Sequence, residues 1–353
     1  VIISSASSWT PENGLQDIRE FYTPVEIDNG NGTWTLQYQG DSSGGFTDAV
    51  INSANPSMVD TASSIIEISS DSQNGTEQRA LFGIDLSTVG FMSNISIISA
   101  SLELTIDTAP SIGTNVMGLM TYRDWVDPSW NGATPAVSWT EPGADSNSDS
   151  GGPNSFVPAT SSSTTISLDV TDNLRVGQAR NAQGNGGFVG VMVMGSAWNS
   201  DSYLPWSMSF HSSESVIPYI RPQWNIIVNW NQPTTLSTVD PGWVDIEPRF
   251  GQVSADTDSP LKAQVRHEDG SVSSSPVNWN VMAGTGFVDS SGLFGPVSSG
   301  FEFICAEAIN GETGCIVLLV TPGAPVSMSI IPSNSSFPVG VDIQLSALFS
   351  DIK

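Results

Sequence analysis

The stretch ISASLELTID (98–107) places Ile98, Ala100, Leu102, Leu104 and Ile106 at every second position, with Ser, Glu, Thr and Asp between them. A period of two sends alternate side chains to opposite faces of an extended chain, so this segment reads as a strand with one buried face. The same length and alternation recur in TISLDV (165–170), WSMSFHS (206–212) and WNIIVNW (224–230). Each run is bounded by Gly, Pro, Asn, Asp or Ser, which is the pattern of antiparallel β-sandwiches. Outward from these, VEIDNGNGTWTLQYQG (25–40) reads as a hairpin whose turn residues lie between Asp28 and Gly32. Only LQDIREFY (15–22) and VTDNLRVGQARN (170–181) carry a helical pattern, and both are too short to found a helical domain.

Composition supports this reading. The chain has 353 residues, of which 36 are acidic and 10 basic, for a net charge of −26. The imbalance comes from missing bases, since Lys262 and Lys353 are its two lysines. Such a chain cannot neutralise phosphates, which excludes nucleic acid and anionic membrane surfaces as partners. Its 55 serines and 25 threonines suit strands and turns better than exposed helix faces. The longest apolar runs, GFVGVMVMG (187–195) and CIVLLV (315–320), have strand length and cannot cross a membrane as helices. Val1-Ile2-Ile3 lacks the basic region of a secretory leader, as expected of a processed or truncated chain.

Proline and threonine clusters mark the boundaries. NQPTTLSTVDPG (231–242) separates a long first region from a compact second one, and TPGAPV (321–326) precedes a short last segment. VDIEPRFGQVSADTDSPLKAQV and SMSIIPSNSSFPVGVDIQLSAL share an order of strand, proline, polar gap and strand. The last segment therefore reads as the opening of a further copy of the second domain.

Two resemblances become visible in these segments. DAVINSANPS (48–57), RALFGIDLSTV (79–89), SASLELTI (99–106), YRDWVDPSWNGATPAVSWTEPGA (122–144), LDVTDNLRVGQARNAQGNGGFVGVMV (168–193) and FHSSESVIPYIRPQWNIIV (210–228) follow one another as in the DNRLRE, or disaggregatase-related, β-sandwich modules. VDIEPRFGQVS, LKAQVRHEDGS, PVNWNV, FVDSSGLFGPVSSG and FEFICAEA, within 244–320, resemble bacterial Ig-like group 2 domains. Val277, Trp279, Asp289, Gly292 and Phe294 match that family's core and turn positions. The expected fold is all-β: a jelly-roll-like sandwich, an Ig-like sandwich and a partial further Ig-like segment. The expected divisions are an N-terminal extension with a hairpin (1–47), the first sandwich (48–230), a linker (231–243), the Ig-like domain (244–321) and a partial domain or donor strand (322–353). The resemblances imply an extracellular or cell-surface location and a structural or adhesive role.

Candidate sites are few. Two cysteines and two histidines cannot build a zinc site of the usual spacing. Cys305 and Cys315 face each other if FEFICAEAI (301–309) and CIVLLV (315–320) form a hairpin around Asn310-Gly311. They then form a cross-strand disulfide, the alternative being two separate buried thiols. Asp145, Asn147 and Asp149 place oxygen ligands at alternate positions before Gly151-Gly152, and Ca²⁺ is the cofactor such a loop would take. The other reading is a solvated loop, because no Glu closes the motif. Trp125, Trp130 and Trp139 read as core, whereas Trp198, Tyr203 and Trp206 flank the polar stretch SAWNSDSYLPW (196–206) and are the candidates for sugar binding. Asp124, Asp127, Glu141 and Glu214 could supply a glycosidase pair, but no motif fixes two of them across a cleft. Glu214 reads instead as an acceptor paired with Arg79, Arg123 or Arg221. The sequence therefore points to a non-enzymatic surface protein, a subunit of a fibre or cell-surface assembly. Its partners would be copies of itself or other surface proteins. A module binding polysaccharide is the alternative.

Overall fold

The computed structural model describes residues 24–41, 45–71, 74–91, 95–146, 148–195, 205–233, 242–248, 250–267, 271–309, 312–324, 327–331 and 346–350. The chain is nearly all β. The first part begins with β1 (Val25–Asp28), β2 (Trp34–Gln39), β3 (Phe46–Asn52), β4 (Ile65–Asp71) and β5 (Thr76–Asp85). It continues through β6 (Ile95–Thr108), β7 (Thr114–Thr121), β8 (Gly132–Thr134), β9 (Val137–Ser138), β10 (Ser150–Ala159) and β11 (Thr165–Asp169). The helix α1 (Thr171–Ala182) then leads to β12 (Phe188–Gly195), β13 (Trp206–His211) and β14 (Gln223–Pro233).

These strands form two layers. One runs β1-β2-β14-β6, with β11 on β6. The other runs β13-β4-β5-β12-β7-β10, with β3 also paired to β5. The end of β6 passes from the first layer to the second, where Phe210 of β13 pairs with Ile106. The period of two is visible in the packing from Ala100 on, since Ala100, Leu102 and Leu104 are buried while Glu103 is exposed; at the start of the stretch a register shift against β14 buries Ile97 and leaves Ile98 exposed. Leu36 and Tyr38 of the hairpin enter the same core as Trp224, Ile226, Phe82 and Val191. The hairpin thus belongs to the sandwich and not to a separate extension, because β2 pairs along β14 from Trp34 to Gln39.

In the second layer, β3, β5, β12 and β7 are buried on both faces. In β5, Ala80, Phe82 and Ile84 point into the main core, while Leu81 points into a second apolar cluster. In β12, Val189, Val191 and Val193 take the first direction, and Met192 and Met194 the second. A strand covered twice needs apolar side chains on both faces, which accounts for the unbroken run at 187–195. The second cluster is closed by Trp125, Ala133, Trp139 and Ala144 from the segment between β7 and β10. Val317, Phe301 and Phe303 of the next domain complete it.

That next domain comprises β15 (Gly242–Glu247), β16 (Phe250–Ser254), β17 (Ser259–Pro260), β18 (Lys262–His267) and β19 (Val272–Ser273). Then come β20 (Val277–Ala283), β21 (Phe287–Val288), β22 (Leu293–Gly295), β23 (Gly300–Ala308) and β24 (Thr313–Thr321). β15 pairs with β18, whereas β16 crosses to the other sheet and runs parallel to β24 in the order β16-β24-β23-β20. β17, β22 and β21 form a third, small sheet, and the sheets together enclose Val244, Ile246, Val265, Phe294, Ile304, Ile316 and Leu318. This is a sandwich whose first edge strand is divided between both sheets. Finally, β25 (Ser327–Ile331) and β26 (Ser346–Ser350) pair antiparallel as a separate two-stranded sheet.

The two sandwiches dock through aromatic contacts. Phe156 of β10 stacks on Phe303 of β23 with ring centroids 5.3 Å apart. Tyr122 stacks on Trp243 at 3.6 Å. Thr313 donates a hydrogen bond to the Asp172 carboxylate at the start of α1.

Candidate functional site

The sequence-derived residues fall in different places. Trp198 and Tyr203 lie outside the described residues, as do Asn147 and the Asn310-Gly311 turn. Trp206 corrects the expectation of a sugar-binding loop. It is the first residue of β13, is 5% exposed, and packs in the main core. Its ring occupies the space beside Gly195, where a Cβ would lie 2.0 Å from the indole. A ring so enclosed offers no face to a sugar.

The aspartates read as calcium ligands have other partners. Asp149 is fully buried and accepts hydrogen bonds from the backbone N–H groups of Thr140 and Glu141 at 2.6 and 3.2 Å. Arg123 also sits 3.1 Å from it. Asp145 is held by Arg79 at 2.6 Å. Each carboxylate therefore closes the 122–149 segment onto the sandwich, and among the described residues no group of three metal-ligating side chains forms. Arg79, 3% exposed, is the hub of this closure. It binds Glu77, Asp145 and the Gly143 carbonyl, and its guanidinium lies 4.9 Å from the centre of the Trp130 ring. Burial alone would lower its pKa, but the two carboxylates outweigh it and raise the pKa above the usual arginine value. Trp125 and Trp139, 1% and 4% exposed, are core residues.

Cys305 and Cys315 stand opposite each other in the β23–β24 register and are joined by a disulfide. Elsewhere, Asp48 is 4% exposed and accepts a hydrogen bond from the Ser213 backbone N–H at 2.7 Å. Burial pushes its pKa up to about 6, with Glu214 and Asp60 adding like-charge repulsion. Burial also raises Glu214, against the pull of the Arg221 charge and a hydrogen bond with Ser213.

Two concavities stand out among the described residues. The outward face of the first sheet carries an open groove of about 510 Å³ lined by Gln37, Asn225, Ser101, Glu103, Ser167 and Asp169 among others. Asn225 accepts hydrogen bonds from the Gln37 and Gln223 amides at 3.1 and 2.7 Å.

The second concavity is a cleft of about 330 Å³ between the two sandwiches. One wall is α1, where Asn173, Val176, Gly177 and Arg180 share a helical face at spacings of three and four. Gly177 lets the helix approach β12, since a Cβ there would meet Val189 at 2.1 Å. The floor is the paired residues Thr121 and Gly190. The far wall is Trp243 and Arg266, opposite each other in the β15–β18 register, with His267 beside them. Arg180 is fixed by Asp124 at 3.1 Å and Arg266 by Asp245 at 3.0 Å. His267 Nε2 lies 3.0 Å from the Ser273 hydroxyl. Neither aspartate lines the cleft. Sequence reasoning missed this site because its residues come from six separated stretches. The scarcity of cations was the one signal able to flag Arg180 and Arg266.

No family model matches this chain. No curated protein matches it either. Among solved structures it is similar to the M60 catalytic domain with the CBM51-1 and CBM51-2 domains from Clostridium perfringens ZmpB, over 86% of this chain and 28% of that one, at 10% identity and a TM-score of 0.18. The chain spans less than a third of that structure, and a TM-score of this size carries no argument about fold or role. Among the described residues, no helix is long and apolar enough to cross a membrane.

Proposed function

We propose that this chain is a non-enzymatic extracellular surface protein in which β-sandwich domains are set in series for a structural or adhesive role. The observation that carries this is the docking of the two sandwiches, in which Phe301, Phe303 and Val317 of the second domain complete an apolar cluster of the first. Domains joined only by a linker would swing freely, whereas a shared apolar cluster makes a stiff two-domain segment of the kind a stalk or layer needs. The disulfide between Cys305 and Cys315 supports an oxidising compartment. The resemblance of 48–230 and 244–320 to DNRLRE modules and bacterial Ig-like domains points the same way. Antibody labelling of intact cells, with protease shaving, tests the proposal. Surface label that shaving removes supports it, and label seen only after lysis contradicts it.

A second reading, polysaccharide binding, draws on the open groove of the first sheet. Its amides, hydroxyls and carboxylates are the groups that exchange hydrogen bonds with sugar hydroxyls. Retention on neutral polysaccharide that Gln37→Ala with Glu103→Ala abolishes would favour it, and unchanged retention would not.

A further inference from the structure

We propose that the cleft between the two sandwiches binds a sugar-sized oxyanion, a polyol bearing a carboxylate or a phosphate ester. The proposal goes beyond the surface-protein reading and stands or falls without it.

The first ground is charge. The chain carries 36 acids against 10 lysines and arginines, yet among the described residues no Asp or Glu lines this cleft. Two of its arginines, Arg180 and Arg266, and one of its two histidines, His267, do. In a field that repels anions elsewhere, this lining is where one would be held.

The second ground is how the cations are mounted. A guanidinium has five N–H donors in a fixed fork, which matches the paired oxygens of a carboxylate or phosphate. Asp245 is 6% exposed, does not line the cleft, and holds Arg266 through Nη2, so the aspartate fixes the fork. Asp124 anchors Arg180 in the same way through Nη1.

The third ground is a shortage of acceptors. Trp243 is 8% exposed, and its indole N–H has no hydrogen-bond partner among the described residues. The Nε–H of Arg266 and the hydroxyl of Thr121 are likewise unpartnered. Buried donors left unpaired are costly, by about 1–3 kcal/mol each. A ligand rich in oxygen acceptors, seated in the cleft that Thr121, Trp243 and Arg266 line, relieves that cost. Ser148 and Asn173 add the two-way hydrogen-bonding groups that suit hydroxyls. The volume of about 330 Å³ is at the small end of ligand pockets and fits a single sugar unit better than a polymer.

The test is titration of the full chain with sodium glucuronate, glucose 6-phosphate and glucose at matched ionic strength, followed by tryptophan fluorescence and melting temperature. At least one acidic sugar should change the fluorescence and raise the melting temperature, while glucose changes neither. Which acid responds separates carboxylate from phosphate recognition. Arg266→Gln should weaken binding about tenfold or more, as expected for a lost charged hydrogen bond. Arg266→Lys should keep part of it, and its melting temperature without ligand reports that the fold is intact. No response to either acid, an equal response to glucose, or full binding in R266Q would overturn the proposal.

Discussion

Replacing Asp48 with Asn removes one charge without changing shape, and its effect has a defined pH signature. Asp48 is 4% exposed, and its pKa in the folded protein is about 6. In the unfolded chain an aspartate titrates near 3.9, so the two differ by about 2 units, or about 3 kcal/mol. The folded state holds the proton more tightly, so it binds more protons than the unfolded state between about pH 4 and 6. The stability that protonated Asp48 confers is complete below about pH 4 and lost as pH rises through 6. Asn stays neutral throughout, and its carbonyl oxygen can still accept the Ser213 N–H bond. Urea unfolding of both proteins at several pH values between 4 and 8 measures the difference. D48N should gain on the wild type steadily between pH 4 and 6 and then level off, about 2–3 kcal/mol ahead of its position at pH 4. A difference that stays flat from pH 4 to 8 would refute the reasoning.

Other substitutions probe the remaining contacts. Arg79→Met strands the Glu77 and Asp145 carboxylates, so it should destabilise by about 3–5 kcal/mol in denaturant melts and expose 122–149 to proteases. Reducing the disulfide should add two hydrogens to the intact mass. With a sequence separation of 10 between the cysteines, its loss should cost about 2–3 kcal/mol. Phe303→Ala removes the stack on Phe156, a ring–ring contact of about 1 kcal/mol beyond burial. Calorimetry should then show the two sandwiches melting apart where the wild type melts as one, and an unchanged single transition would contradict that.

The strands were legible wherever burial is one-sided. In 98–107 the polar and apolar residues alternate, and β6 follows them from Ala100 on. The helix at 170–181 and the facing cysteines were also readable, because both depend on residues close in sequence. What lay hidden depends on distant pairs. Asp145 and Asp149 present a local ladder of oxygens, but Arg79 and Arg123, far off in the chain, claim them. Trp206 sits beside loop-like residues, and its burial follows from Gly195, which leaves room for the indole. The double burial of β12 explains its unbroken apolar run only once the 122–149 segment and the second domain are seen to cover it. Tyr122, Arg180, Trp243 and Arg266 each look ordinary in the sequence and meet only in the folded pair.

The account depends most on the fixed docking of the two sandwiches, since both the stiff segment and the cleft exist only if they hold one orientation. The described residues contain no free cysteine, so spin labels can be placed at Glu103→Cys and Lys262→Cys, exposed positions on β6 and β18. Pulsed electron paramagnetic resonance between them then reports the interdomain distance. A single narrow distance that matches the structure is predicted, and it should broaden in Phe303→Ala. A broad distribution in the otherwise wild-type chain would mean that the domains swing freely, and would contradict the account.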